Sequence, residues 1–302
     1  MQVRLAKHSG FCFGVKRAIR LAEETAAKYG HAITIGPIIH NPQMVEILRK
    51  AGVKAEENLD LIEKGPVIIR SHGIPGDDLK KIKRQKLEVI DATCPFVAKA
   101  HLFARLASKE NYEIFILGNP DHPEIIALTS YIKKKVQIWE KGQPLLHGKY
   151  QKVAIICQTT QNKDNLKILT ELLLPVCSEL RIFNTICDAT HERQESSLQL
   201  AKKSKIMIVI GGKNSSNTKM LQKLCSQFSL TKHIETANEI QKTWFKNIKN
   251  QNGYIGLTAG ASTPDHIIIE IYNKIKEIVG ELDERVTSVN AIPHYQEEPN
   301  EF

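Results

Sequence analysis

The sequence predicts an α/β protein built as three similar small domains, each a parallel sheet covered by helices. Three observations predict it. Apolar runs of strand length alternate with amphipathic stretches of helix length along most of the chain, which is the pattern of βα units. A cysteine stands between a strand-like and a helix-like stretch three times, at Cys12, Cys94 and Cys187. A glycine follows each of them at the same distance of 24 residues, at Gly36, Gly118 and Gly211. The cysteines lie 82 and 93 residues apart, so the pattern reads as triplication of a domain and not as a solenoid.

Each unit begins with an apolar strand that runs into its cysteine: QVRLAKHSGFC, LEVIDATC and LRIFNTIC. A helical stretch follows, FGVKRAIRLAEETAAKYG, PFVAKAHLFARLASKEN and DATHERQESSLQLAKKS in turn. A second strand then ends in the recurrent glycine and a polar loop: AITIGPIIHNP, EIFILGNPDHPE and IMIVIGGKNSSNT. A third strand ends likewise, in VIIRSHGIP, VAIICQTT and YIGLTAGASTP. Another helix follows, and in the first two units the next strand carries the next cysteine. The third unit lacks that closing strand, and the segment 2–12 is available to supply it. The expected domains are therefore 13–96, 97–190 and 191–280 completed by 1–12, with an acidic tail at 281–302. A pseudo-threefold arrangement would bring the three cysteines and the loops of their sheet edges to one central cavity, because ligands of open α/β sheets bind at the carboxyl ends of the strands.

Composition narrows the function classes. Apolar residues make up 42% and charged residues 25% of the 302, an ordinary globular balance. No apolar run reaches the length of a membrane span, and MQVRLAKHSG has no apolar core of a secretory signal. The expectation is a cytoplasmic protein, where thiols stay reduced. The net charge is +9. The last 22 residues hold six acids against one base, which leaves about +14 on the rest and favours an anionic substrate or an acidic partner. The basic run KKIKRQK (80–86) reads as a solvated helix face. No basic stretch is interleaved with aromatics, so no nucleic acid is expected as a partner.

Six cysteines are present. Cys157, Cys177 and Cys225 sit inside apolar patterns and read as small core residues. Cys12, Cys94 and Cys187 share one position of the repeat, each opening a helix, where the dipole favours a thiolate. Three thiolates at one site call for a metal. Zinc is one candidate, but structural zinc takes four closed ligands, usually with closely spaced pairs. Ligands from three domains suit a [4Fe–4S] cluster. Three ligands for four irons leave one iron without protein ligation, free to polarise a hydroxyl.

The other loops supply groups suited to an anion. His40, His72 and His122 each precede a helix, as do Ser215, Ser216 and Asn217 in KNSSNT and Ser262 in AST. Helix-start N–H groups with such side chains form phosphate sites. One acid shares these edges, Glu124 in HPE, which could deliver protons if burial raised its pKa. Thr159 in QTT could relay such a proton.

Taken in order, FCFGVKRAI, GPIIHNP, SHG, DATCPFV, HPE, QTT, TICDAT, KNSSNT and TAGAST resemble the 4-hydroxy-3-methylbut-2-enyl diphosphate reductases, over residues 1 to about 280. The resemblance implies a three-domain cloverleaf about one [4Fe–4S] cluster held by Cys12, Cys94 and Cys187. It implies reductive removal of the substrate's hydroxyl, giving isopentenyl and dimethylallyl diphosphates, with electrons from a ferredoxin or flavodoxin. It assigns His40, His72, His122, Ser215, Ser216, Asn217 and Ser262 to the diphosphate, Glu124 to proton donation, Thr159 to the substrate hydroxyl and the relay of that proton, and counts His122 with Glu124 and Thr159 among the catalytic residues. Two other readings stay open: a non-redox iron–sulfur dehydratase, and an iron–sulfur sensor that binds nucleic acid.

Overall fold

A computed structural model gives the fold and describes residues 2–134, 136–144, 148–246, 253–280 and 287–293. The chain opens with β1 (Gln2–Leu5) and then repeats one set of elements three times. The first set is α1 (Phe13–Tyr29), β2 (Ala32–Ile35), α2 (Pro42–Lys50), β3 (Val53–Glu56), β4 (Pro66–Ile69), α3 (Gly76–Arg84) and β5 (Glu88–Asp91). The second is α4 (Pro95–Lys109), β6 (Glu113–Leu117), α5 (Pro123–Thr129), β7 (Val136–Trp139), β8 (Tyr150–Cys157), α6 (Lys163–Leu173) and β9 (Cys177–Phe183). The third is α7 (Asp188–Lys203), β10 (Ser204–Ile210), α8 (Ser216–Cys225), β11 (Leu230–Ile234), β12 (Tyr254–Ala259) and α9 (Asp265–Val279).

These strands form three parallel four-stranded sheets of one topology, β3-β2-β4-β5, β7-β6-β8-β9 and β11-β10-β12-β1. The α/β class with three like sheets is thus present. β1 takes the place in the third sheet that β5 and β9 hold in the others, pairing Gln2 to Leu5 with Tyr254 to Leu257. Central strands such as β6 and β10 are buried on both faces, as parallel strands under two helix layers must be. Alanines on the inner face of α4 (Ala100, Ala104, Ala107) let it pack closely on Ile114, Ile116 and Ile156.

Two details differ from the sequence reading. Each sheet gains an edge strand that the apolar pattern had passed over: β3, β7 and β11. The cysteine-bearing strands also end short of their cysteines, at Leu5, Asp91 and Phe183, because the chain must leave the sheet before it can turn into the next helix.

By internal contacts the chain divides into two compact units. One comprises Met1–Cys12, His40–Pro42 and Asp188–Phe302 and contains the third sheet. The other comprises Phe13–Ile39 and Gln43–Cys187 and contains the first two. In the first of these units part of the segment read as a tail is structured: Ile292 is buried in the core, and the Pro293 carbonyl accepts a hydrogen bond from Leu5 N–H at 2.8 Å. It thereby covers part of an edge strand. The rest of that tail lies outside the described residues. Among the described residues no helix is long and apolar enough to cross a membrane.

Candidate active site

Strand order in every sheet reverses once, between β2 and β4, β6 and β8, or β10 and β12. At such a switch point adjacent loops run to opposite sides and leave a crevice. The six loops beside these crevices carry GPIIHNP and SHG, NPDHPE and QTT, and GGKNSSN and GAST. The recurrent glycines mark the crevice floor. A Cβ on Gly36 would lie 2.6 Å from Arg70 Nη1, one on Gly118 2.9 Å from Gln158 Oε1, and one on Gly211 2.6 Å from Thr263 Oγ1. At Gly118 and Gly211 neighbouring side chains leave no room for a Cβ, whereas at Gly36 the neighbour is the movable tip of Arg70 and the backbone φ of 66° is what favours glycine.

The three repeat cysteines share a second feature. Each N–H donates to the carbonyl of the residue two beyond the end of the third strand of its sheet: Cys94 to Ser71 (3.0 Å), Cys187 to Thr159 (3.0 Å) and Cys12 to Ala261 (3.1 Å). Each cysteine immediately precedes a helix, and Cys94 is the N-cap of α4 with Pro95 at its first position. All three are partly exposed. Their counterparts differ. Cys157 and Cys225 are fully buried, and burial pushes each thiol up to about 12. Cys177 is partly buried at the start of β9, and burial raises its thiol too.

Within the two-sheet unit a continuous polar run links Cys94 to Cys187. Ser71, whose carbonyl holds Cys94, precedes His72, and the His72 and His122 rings meet edge to face at 5.5 Å. His122 caps α5, its Nδ1 accepting the Glu124 N–H at 3.2 Å. A neutral imidazole that accepts at Nδ1 carries its proton on Nε2, where it can serve an anion as donor. Glu124, 2% exposed, accepts the Thr159 N–H at Oε1 and the Thr159 hydroxyl at Oε2, both at 2.7 Å. Burial pushes its carboxyl up to about 7, against the two Thr159 hydrogen bonds, which favour the charged form. The backbone N–H fixes Oε1 as acceptor, so a proton on this carboxyl resides on Oε2 and faces the Thr159 hydroxyl. Thr159 then returns to the cysteines through its carbonyl bond to Cys187.

The other unit holds the rest of the candidate residues. Ser262 Oγ donates to the His40 carbonyl at 3.2 Å. Ser215 is the N-cap of α8, its hydroxyl accepting the Thr218 N–H at 3.3 Å, and Ser216 opens that helix. Asn217 is 4% exposed, and among the described residues neither end of its amide finds a hydrogen-bond partner. A buried orphan amide is costly, and its presence at a helix start beside Ser215 fits a site that takes a polar ligand.

Over residues 3–276 the sequence matches the LytB protein family. The chain belongs to the LytB family. Its relatives include the 4-hydroxy-3-methylbut-2-enyl diphosphate reductases of Geobacter metallireducens and Geotalea daltonii. They are 45% and 43% identical over 280 residues, which is 92% of this chain and 98% of each relative. A solved structure of (E)-4-hydroxy-3-methyl-but-2-enyl diphosphate reductase, described as the terminal enzyme of the non-mevalonate pathway, is 40% identical with a TM-score of 0.65. The match covers 91% of this chain and 99% of that one. The Plasmodium falciparum reductase is 29% identical with a TM-score of 0.81, covering 91% and 88%.

In this LytB chain the geometry adds residues that sequence reasoning passed over. Gly14, in α1, lies so close to Cys94 that a Cβ there would sit 2.6 Å from its Sγ. Arg193, buried in α7, donates to the Gly10 carbonyl at 2.8 Å and so holds the loop two residues before Cys12. Their signal in sequence is faint: a glycine inside a helical pattern, and an arginine on the inward face of α7.

Proposed function

We propose that this LytB protein is an iron–sulfur reductase that converts 4-hydroxy-3-methylbut-2-enyl diphosphate, two electrons and two protons into isopentenyl or dimethylallyl diphosphate and water. The observation that carries the reading is the buried Glu124–Thr159 pair, a protonatable carboxyl poised near neutrality and tied through Thr159 to Cys187. The named activity of relatives matched over nearly their whole length supports it.

Cys12, Cys94 and Cys187 would hold one [4Fe–4S] cluster per chain, with one iron left without a protein ligand. The donor set fits: three accessible thiols at helix starts, soft ligands of the kind iron–sulfur clusters use, with a cradle at Cys94 that only glycine permits. When bound, the cluster supplies electrons and a Lewis-acidic iron for the hydroxyl oxygen. The protein's own residues do the rest. His40, His72, His122, Ser215, Ser216, Asn217 and Ser262 bind the diphosphate, and the unpartnered Asn217 amide supports that role. Anchoring the diphosphate orients the allylic end towards Thr159. Glu124 gives its Oε2 proton to the Thr159 hydroxyl as that hydroxyl gives its own to the departing oxygen, a relay the 2.7 Å contact supports. The electrons come from a ferredoxin or flavodoxin. The domain limits 13–96, 97–190 and 191–280 with 1–12, the cloverleaf arrangement and a cytoplasmic setting, where thiols stay reduced, belong to the same reading.

Anaerobic turnover of the allylic diphosphate, with and without reduced donor, tests this directly. The expected result is product formation only with donor, at two electrons consumed per product. Loss of hydroxyl without any donor would replace the reductase with the non-redox dehydratase.

A further inference from the structure

The basic run at 80–86 has no role in the chemistry above, yet it forms one wall of a groove. That groove, about 890 Å³, lies between α3, α4 and the turn after α5. Lys80 and Lys83 come from α3, Arg105 and Lys109 from α4, and Lys133 and Lys134 from beyond α5. It contains one carboxylate, Asp77, and Lys80 pairs with it at 2.8 Å. Among the described residues, Lys83, Lys109, Lys133 and Lys134 are exposed and make no ion pair. Four lysines therefore stand without an ion pair around one depression. Like charges so gathered repel one another and offer the fold nothing in return, so such a patch points to an anionic partner.

The position of the groove narrows the choice of partner. Its inner wall, formed by Leu79, Arg105 and Tyr131, is shared with a smaller cavity of about 170 Å³ that reaches Thr93, the residue before Cys94. Between groove and cysteine stand two rings in contact. The Arg105 guanidinium covers Tyr131 at 5.3 Å, and Tyr131 lies 4.8 Å from His101 at an interplanar angle of 35°. His101 is buried, and it packs so tightly under the loop of His72 that a Cβ on Gly73 would lie 2.8 Å from its ring. Along α4, at 1.5 Å per residue, His101 is about 10 Å and Arg105 about 16 Å from Cys94. No small diphosphate needs a surface this broad. A protein that must bring electrons near Cys94, without entering the substrate crevices, does.

We propose that this groove is the docking surface for an acidic one-electron carrier protein, and that Tyr131 and His101 fill the space between it and Cys94. The proposal rests on the reductase reading, which requires two single-electron deliveries per turnover, each oxidising one reduced carrier. Complementary charge at an interface rim chiefly sets the rate of encounter and its salt dependence.

The test uses the intact holoenzyme and the variant Lys83→Glu/Lys109→Glu/Lys133→Glu/Lys134→Glu, with a plant-type [2Fe–2S] ferredoxin of acidic surface as probe. Two readouts are compared: direct binding of the ferredoxin at low and moderate salt, and turnover driven by the ferredoxin or by a small viologen reductant. The expected result is binding weakened tenfold or more and a KM for ferredoxin raised by a similar factor, with viologen-driven turnover and iron content unchanged. Charge reversal at Lys163 and Lys167 on α6 should alter neither readout. Unchanged ferredoxin binding in the quadruple variant, or a loss that is equal in the α6 control, would overturn the proposal. So would loss of nucleic-acid binding in the quadruple variant with its ferredoxin binding intact. A wild-type enzyme inactive even with viologen would instead sink the reductase reading, while the binding measurement would still judge the groove.

Discussion

Glu124→Gln is expected to lower turnover by about 10²- to 10⁴-fold, the range in which a positioned general acid contributes, while leaving iron content and fold intact. Gln keeps the geometry: its carbonyl accepts the Thr159 N–H and its amide can still meet the hydroxyl, but it has no proton to give. The wild-type rate should fall as pH rises through about 7, where burial has placed this carboxyl, and the residual rate of the variant should show no such step. Stability should fall over the same range. The folded pKa lies above the ordinary value of 4.5, so between pH 4.5 and 7 the native state holds a proton that the unfolded chain has released. Stability is thus full below 4.5 and is lost as pH rises to about 7, by about 3 kcal/mol from 1.36 kcal/mol per unit. Glu124→Gln removes that loss, so its melting temperature should exceed that of wild type at pH 8 and approach it at pH 4.5. An active variant would take Glu124 out of the proton path. A variant less stable at pH 8 would contradict the buried, protonatable carboxyl.

The second large effect concerns the cysteines. Cys94→Ser should lose the cluster, read as iron content and visible absorbance, whereas Cys157→Ser should keep it. Cys157 is fully buried in its sheet with its N–H bonded to Thr185 Oγ1 at 2.9 Å, a core position in every respect. Gly14→Ala should resemble Cys94→Ser in iron content while leaving the thiol count unchanged, because the added methyl occupies the space beside Cys94 Sγ. Equal cluster retention in Cys94→Ser and Cys157→Ser would end the distinction between the two classes of cysteine.

Much of this was legible in the sequence because it repeats. A pattern that recurs three times separates a position that matters from the accident of a single residue. Thus the helices after Cys12, Cys94 and Cys187, expected at 13–30, 95–111 and 188–204, form at Phe13–Tyr29, Pro95–Lys109 and Asp188–Lys203. The edge strands were not legible. VKAE, VQIW and LTKHI are short, half-exposed and mixed in polarity, since an edge strand is paired on one side only and need not be apolar on both faces. Contacts across long sequence distances were visible only in outline: the shared sheet edge suggested Glu124 and Thr159 as partners, but not their burial or the double hydrogen bond between them. Glu124 and Thr159 are 35 residues apart, and nothing local distinguishes a Glu that caps a helix start from one that is buried under a threonine. Gly14, Arg193 and His101 look like ordinary helix residues until the elements they approach are in place.

Mössbauer spectroscopy of anaerobically prepared, iron-57-loaded protein decides whether three cysteines hold one four-iron cluster with its fourth iron open to substrate. The expected result is about four irons and four sulfides per chain, with roughly a quarter of the iron signal distinct from the rest. That quarter alone should shift when the allylic diphosphate is added. A single bound zinc, or four equivalent irons indifferent to the diphosphate, would contradict it.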